Sequence, residues 1–77
     1  MSLFLSVHAL KRMAARGIDR TEIQEALANV ETTYASTDAD DRVVVLGRTE
    51  GGRRLKVVVE AHDREAVITV ADRDSEA

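Results

Sequence analysis

The chain has 77 residues, eleven basic and fourteen acidic, with a formal net charge of −3 and neither cysteine nor proline. This length leaves room for one small hydrophobic core, so we expect a single domain over residues 1–77 with a narrow margin of stability. The absence of cysteine excludes a disulfide as a supplement to that core and fits a reducing compartment. The expected supplement is a second copy of the chain or a protein partner.

The apolar segments are short. Leu3-Phe4-Leu5 has no basic residue before it and is too short for the apolar core of a signal peptide. The later apolar run over residues 43–46 is far shorter than the roughly 20 residues needed to cross a bilayer. We therefore expect a soluble, cytoplasmic protein without a membrane segment.

Basic residues concentrate in two segments. Residues 8–20 carry four basic residues and one acidic residue, and residues 42–56 carry five and one. The two segments could converge on one anion-binding surface, or acidic neighbours could neutralise them. Nine of the eleven basic residues are arginines, which suit bidentate contacts to phosphate or carboxylate. Only Phe4 and Tyr34 are aromatic, which leaves little for stacking nucleic-acid bases.

The first part of the chain has the 3.6-residue periodicity of helices. Residues 6–16 predict a helix with Ser6 as its N-cap and Gly17 just beyond its end. A second helix follows at once, and Asp19 and Glu22 match the capping box that begins a helix. The two helices are expected to form a tight hairpin over residues 6–29.

Each predicted helix has an apolar side that we expect to face the core. On helix 1 this side consists of Val7, Leu10, Met13, Ala14 and Gly17. On helix 2 it consists of Ile23, Ala26, Leu27 and Val30. His8, Arg12 and Arg16 are spaced four residues apart and fall on roughly the opposite side of helix 1.

From Glu31 onward the pattern changes to that of strands. Predicted strands cover residues 31–37, 42–49, 53–61 and 66–71, with turns at 38–41, 50–52 and 62–65. The predicted fold is α+β, with two N-terminal helices packed on one face of a three- or four-stranded antiparallel sheet over residues 31–71. A charged tail over residues 72–77 is expected to fray.

The hairpin around Gly51 and Gly52 allows two registers. A three-residue loop pairs Gly47 with Leu55 and places the charged side chains on one face of the sheet, whereas a two-residue loop mixes charge into both faces. Segregation of charge favours the first register. The predicted core then comprises Leu10, Met13, Ile18, Ile23, Leu27, Val43, Val45, Leu55, Val57 and Val59.

Several segments together resemble a bacterial protein family. They are Ser6-Val-His-Ala-Leu-Lys-Arg-Met-Ala-Ala-Arg-Gly-Ile18, Glu22-Ile-Gln-Glu-Ala-Leu27, Gly47-Arg-Thr49, Leu55-Lys-Val-Val-Val59 and Val67-Ile-Thr-Val70. They resemble the domain-of-unknown-function family 4258, whose members share a His-Ala…Arg-Met…Arg-Gly-Ile opening. The order of elements is also similar to the BrnT-type toxins of the RelE/ParE-like superfamily. Unlike most such toxins, this chain is acidic, and its last strand does not run into a basic end.

The resemblance implies a toxin-like domain, acting as a metal-independent ribonuclease under the control of an antitoxin. Such cleavage needs a base, an acid and cations that stabilise the charged phosphorane. His8 would be the base or acid, and Arg12, one turn further on, would bind phosphate. Arg48 and Lys56 would form the cationic clamp on the sheet. Arg16, Arg54 and Thr69 would hold further phosphate oxygens of the RNA.

The alternative is a non-catalytic protein-binding module derived from the same fold. His8, Arg12 and Arg16 would then be a solvated helix side, and Arg48, Arg54 and Lys56 the exposed face of a sheet. The acidic composition and the scarcity of aromatic residues favour this alternative, and the motif on helix 1 favours the enzyme. No third ligand accompanies His8 and His62 at a spacing typical of metal sites, so we expect neither a metal nor another cofactor.

Overall fold

The fold is taken from a computed structural model, which describes residues 3–37 and 40–73. In chain order its elements are β1 (Phe4–Leu5), α1 (Val7–Arg16), α2 (Arg20–Ala28), β2 (Val30–Ala35), β3 (Arg42–Arg48), β4 (Arg54–Glu60) and β5 (Asp63–Asp72). The strands form one sheet in the order β1-β5-β4-β3-β2. Helix α1 packs on β5, and α2 packs on β3 and β4. The predicted α+β class with two N-terminal helices is confirmed, but the sheet has five strands rather than three or four.

The additional strand, β1, also makes the sheet mixed. It pairs in parallel with β5, placing Phe4 opposite Ala66 and Leu5 opposite Val67. The other three pairs are antiparallel, so the expectation of a wholly antiparallel sheet is wrong. A two-residue strand has no periodicity that a sequence pattern could detect, and its partner lies at the other end of the chain.

The predicted helix ends are confirmed by their capping contacts. The Ala9 N–H donates to the Ser6 hydroxyl at 3.0 Å, and Gly17 ends α1 in the left-handed conformation with φ of 64°. Asp19 and Glu22 form the predicted capping box at the start of α2. These caps position α1 and α2 as a tight hairpin.

Helix α1 is rotated relative to the prediction. Ala9 is fully buried, whereas Val7 and Leu10 are 69% and 50% exposed, so the predicted apolar side of this helix is wrong except at Met13, which packs against the core. The cause lies at the N-cap, because the Ser6 N–H donates to the Val67 carbonyl and the Ser6 hydroxyl to the Ile68 carbonyl. These bonds fix the start of α1 on β5, and the small Ala9 side chain lets the helix approach the sheet closely.

The β3–β4 hairpin adopts the predicted three-residue register, with Gly47 opposite Leu55 and Arg48 opposite Arg54. Gly47 is required by the approach of α2, because a Cβ atom on this residue would lie 2.0 Å from the Ala26 carbonyl oxygen. The same contact shows that Gly47 and Leu55 face the helices. Side chains alternate between the two faces along a strand, so Arg48 and Lys56, which directly follow Gly47 and Leu55, face away from the helices.

The core lies between the helices and the sheet. Six predicted members are buried: Ile18, Ile23, Val45, Leu55, Val57 and Val59. Three more are partly buried and pack against them: Met13, Leu27 and Val43. Leu10 was assigned to the core wrongly, and four buried members of the core cluster were not predicted: Leu3, Ala9, Val67 and Val70. Ala26, which was predicted on the apolar side of helix 2, is buried as well.

The end of the chain is held more firmly than expected. Strand β5 runs through Asp72, whose carboxylate binds Arg53, and the Arg73 side chain binds Glu31. The predicted fraying is therefore wrong for Asp72 and Arg73, and residues 74–77 lie outside the described part of the chain. The predicted turn over residues 38–41 lies partly outside it as well. None of the described helices is long and apolar enough to cross a membrane.

Candidate anion-binding site

The face of the sheet turned away from the helices, here called the open face, carries the candidate site. The pairing of β2 to β5 assigns to this face Thr32, Tyr34, Arg42, Val44, Leu46, Arg48, Arg54, Lys56, Val58, Glu60, Thr69 and Ala71. Neither described helix covers it. Four of the seven residues predicted for the site lie on this one face: Arg48, Arg54, Lys56 and Thr69.

A concavity of about 160 Å³ lies on the open face, across β2 to β5. Its lining combines two cations with four hydroxyl groups over two valines: Arg42 and Lys56, Tyr34, Ser36, Thr37 and Thr69, and Val44 and Val58. The volume is below the range of about 300–1,000 Å³ that encloses a whole small molecule. The concavity therefore suits one part of a larger ligand, such as a single phosphate group.

Lys56 occupies the centre of the open face, because β4 is the middle strand of the five. Its cross-strand neighbours are Leu46 and Ala71, and Val58 follows it on the same face. The aliphatic stem of a lysine packs favourably on such apolar neighbours while the ammonium group extends towards water. This accounts for the half-buried side chain of Lys56, which is one of the residues that line the concavity.

One end of the open face carries a charged cluster around Glu31. Arg48 Nε lies 3.2 Å from the Glu31 carboxylate, and Arg73 donates to the same carboxylate from the end of β5. The hydrogen bond from Arg73 is the main cause that lowers the pKa of Glu31, with further electrostatic contributions from Arg48 and Arg54. Among the described residues, the Glu31 carboxylate thus lies among three arginines.

The three predicted site residues of helix α1 lie on the other side of the sheet. His8 is exposed and Arg12 is half-buried. The hydrogen bond from Arg53 is the main cause that lowers the pKa of Asp72, and the charge of Arg16 contributes less in the same direction. The Arg12 Nε atom is buried without a hydrogen-bond partner among the described residues. Because α1 packs on the helix side of β5, the sheet separates His8 and Arg12 from the open face.

Arg53, which sequence analysis did not single out, joins three elements. It donates to Asp72 on β5 at 2.6 and 2.9 Å, to Glu22 on α2, and to the carbonyls of Arg16 and Gly17 at the end of α1. These contacts raise the pKa of Arg53, chiefly through Asp72. With this full set of acceptors, Arg53 stabilises the fold and is not placed to bind an anion.

Two other depressions are larger than the concavity but suit an anion less well. One of about 440 Å³ lies beside α2, where its charged lining residues are Glu25 and Glu50. The other, of about 230 Å³, is lined by Leu27, Val30 and Val45 together with Arg64 and Glu65 of opposite charge. Within residues 3–37 and 40–73, no group of three or more potential ligands could hold a metal ion.

The comparison with known families gives one match. Residues 5–72 match the family described as Domain of unknown function (DUF4258), which covers most of the chain and includes both helices and the sheet. No curated protein and no solved structure matches. The chain belongs to the DUF4258 family, as the opening motif around His8 and Arg12 predicted.

Proposed function

We propose that this DUF4258 domain is a non-catalytic binding module that holds single-stranded RNA by its phosphates on the open face of the sheet. The observation that carries the proposal is the concentration of cations there in a chain of net charge −3. Five cations lie on or reach over this face, against the described acidic residues Glu31, Glu60 and Asp63: Arg42, Arg48, Arg54, Lys56 and Arg73. Such a local field attracts an anionic polymer even when the protein as a whole is acidic.

The chemistry of the concavity favours phosphate as the bound group. Lys56 supplies a point charge, and Arg42 a planar fork that matches two phosphate oxygens. The hydroxyl groups of Thr69 and Tyr34 can donate to the remaining oxygens. With one aromatic ring, from Tyr34, stacking on bases contributes little, so we expect weak dependence on RNA sequence and strong dependence on salt.

Cleavage of RNA is not part of this proposal. A general base must lie within about 3 Å of the proton it removes, directly or through one water. His8, the candidate base, lies on the helix side of the sheet, whereas Arg48 and Lys56 lie on the open face. A ribonuclease activity like that of BrnT-type toxins, and control by an antitoxin-like partner, stay predictions from the resemblance.

The two lysines of the chain provide a matched test, because Lys11 is exposed on α1 and Lys56 lies on the open face. Fluorescence anisotropy with a labelled single-stranded RNA is measured for the wild type, Lys56→Gln and Lys11→Gln. We expect Lys56→Gln to weaken binding about tenfold and to make the salt dependence less steep by about 0.7 in log–log slope, for one lost phosphate contact. We expect Lys11→Gln to bind like the wild type.

Three results would contradict the proposal. One is the absence of RNA binding at low salt, and another is an equal loss of affinity in both lysine variants. The third is equally tight binding of polyglutamate, which would assign the open face to an acidic protein partner. Gel analysis of the RNA after incubation tests cleavage separately, with His8→Ala beside the wild type. Cleavage that is lost in His8→Ala would favour the enzyme.

A further inference from the structure

Strand β2 forms an uncovered edge of the sheet. Among the described strands it pairs with β3 alone, and all six of its residues are exposed, because α2 lies over β3 and β4. Edge strands are usually protected by lysine, proline, a covering loop or a bulge. β2 carries one charged residue, Glu31, and one bulge between Val30 and Thr32. Beyond the bulge, Thr32–Ala35 is regular, and its Thr, Thr and Tyr residues favour strand pairing.

The hydrogen-bond pattern identifies which backbone groups point outward. Ser36 N–H donates to the Arg42 carbonyl, in the same register that places Tyr34 opposite Val44. In an antiparallel pair, hydrogen-bonded and non-hydrogen-bonded positions alternate. The N–H and C=O groups of Tyr34 therefore point to β3, and those of Thr33 and Ala35 point away from the sheet.

We infer that β2 pairs with β2 of a second copy of this chain, antiparallel about a two-fold axis at Tyr34. In this register Thr33 lies opposite Ala35 of the other copy, so the outward backbone groups of both residues find partners. Tyr34 lies opposite its own copy at a non-hydrogen-bonded position, where side chains approach closely and aromatic pairs are favourable. Glu31 does not lie opposite Glu31 of the second copy, so the register places no like charges opposite each other.

A second copy fits this edge better than an unrelated strand for two reasons. The outward backbone groups of Thr33 and Ala35 pair with those of an antiparallel copy, and Thr32–Ala35 carries no charge that would oppose this pairing. A chain of 77 residues with a small core also gains more from extending its sheet than a large domain does. The opposite edge, β1, has two residues and offers little backbone to pair.

The pairing would also join the two open faces. Side chains that lie opposite each other across an antiparallel pair project from the same face of the sheet. Tyr34 lines the concavity of each copy, so the two concavities would lie on either side of the axis. The dimer therefore deepens the proposed function by doubling the length of the RNA-binding face, although the pairing itself rests only on the geometry of β2.

The test isolates one N–H group. Sedimentation equilibrium is measured for the wild type, Thr33→Pro and Thr33→Ala. Proline removes the outward N–H without removing a bond to β3, whereas alanine keeps that N–H. We expect the wild type and Thr33→Ala to dimerise. For Thr33→Pro we expect the dissociation constant of the dimer to be at least about tenfold higher. The circular dichroism of dilute Thr33→Pro must match that of dilute wild type, which shows that the variant folds.

A second measurement on the wild type needs no variant. In dilute protein the amides of Tyr34 and Ser36 should be protected from hydrogen exchange and those of Thr33 and Ala35 should not. At high concentration all four should be protected. A wild type that stays monomeric at about 1 mM would overturn the inference. So would a dimer that leaves the Thr33 and Ala35 amides exposed, or one that Thr33→Pro does not weaken. RNA binding is measured separately, so failure of either proposal is recognised independently.

Discussion

Replacing Arg53 with alanine should destabilise the fold more than any other removal of a charged side chain. The guanidinium connects Asp72 on β5, Glu22 on α2 and the carbonyls that end α1. Breaking a fully buried ion pair costs about 3–5 kcal/mol. The side chains of Arg53 and Asp72 are 29% and 25% exposed, so water partly replaces the lost contacts. We therefore expect the free energy of unfolding to fall by about 2–3 kcal/mol.

That loss is large for a domain of this size, whose total stability is about 4–12 kcal/mol at 0.05–0.15 kcal/mol per residue. Urea unfolding followed by circular dichroism measures it. With a slope of about 1 kcal/mol per molar urea, the midpoint should fall by about 2–3 M. Arg64→Ala, which removes an exposed arginine from β5, serves as the control and should change the free energy of unfolding by less than about 0.5 kcal/mol.

The pH dependence of the same pair separates the ion pair from simple loss of packing. The hydrogen bonds from Arg53 are the main cause that lowers the pKa of Asp72 in the folded protein. The stabilisation that these hydrogen bonds give is fully present above about pH 3.9, the pKa of an aspartate in the unfolded chain. It is lost as the pH falls through the lower pKa that Asp72 has in the folded protein. The difference between wild type and Arg53→Ala should therefore narrow below about pH 4. A midpoint shift like that of Arg64→Ala, or a difference that does not change with pH, would refute the reasoning.

Two further stability predictions follow from the packing of the helices. Gly47→Ala should destabilise the fold or displace α2, because its Cβ would lie 2.0 Å from the Ala26 carbonyl oxygen, and amide exchange in α2 should rise. Ile23→Ala should cost about 2–5 kcal/mol in urea unfolding, since Ile23 is fully buried. Leu10→Ala should cost less than about 1 kcal/mol, because Leu10 is half exposed, and equal losses at the two positions would contradict the orientation of α1.

The sequence predicts those parts of the fold that local chemistry determines. The capping box of Asp19 and Glu22 fixes the start of α2 through contacts three residues apart. The register of the β3–β4 hairpin follows from loop length and from keeping charge off the core face, and both are visible in a short segment. The grouping of Arg48, Arg54 and Lys56 on one face follows from the same register.

The parts that sequence analysis missed depend on contacts between distant segments. The rotation of α1 is set by bonds from Ser6 to the carbonyls of Val67 and Ile68, which outweigh the apolar pattern of Val7 and Leu10. The acceptors of Arg53 come from α1, α2 and β5, so its role is invisible before these elements meet. The enzyme hypothesis requires His8 to approach Lys56, but α1 packs on the helix side of β5 and Lys56 lies on the open face.

The concavity on the open face was predicted only in part. Lys56 and Thr69 were singled out from the sequence, Lys56 as part of a cationic clamp on the sheet and Thr69 as a residue that holds a phosphate oxygen. Arg42, Tyr34 and Ser36 join them only because β2 pairs with β3, which brings the start of one strand beside the end of the other. The pairing of β2 has no sequence signal as strong as the glycine turn between β3 and β4.

Methyl chemical shifts in a titration with single-stranded RNA test the proposed function most directly. The open face carries Val44 and Val58 in the lining of the concavity, and α1 exposes Val7 and Leu10 on the other side of the sheet. These four residues report on the two candidate surfaces in one experiment. The proposal predicts that RNA shifts the methyl signals of Val44 and Val58 and leaves those of Val7 and Leu10 unchanged. Shifts confined to Val7 and Leu10 would contradict it and would locate RNA at the helix that carries His8.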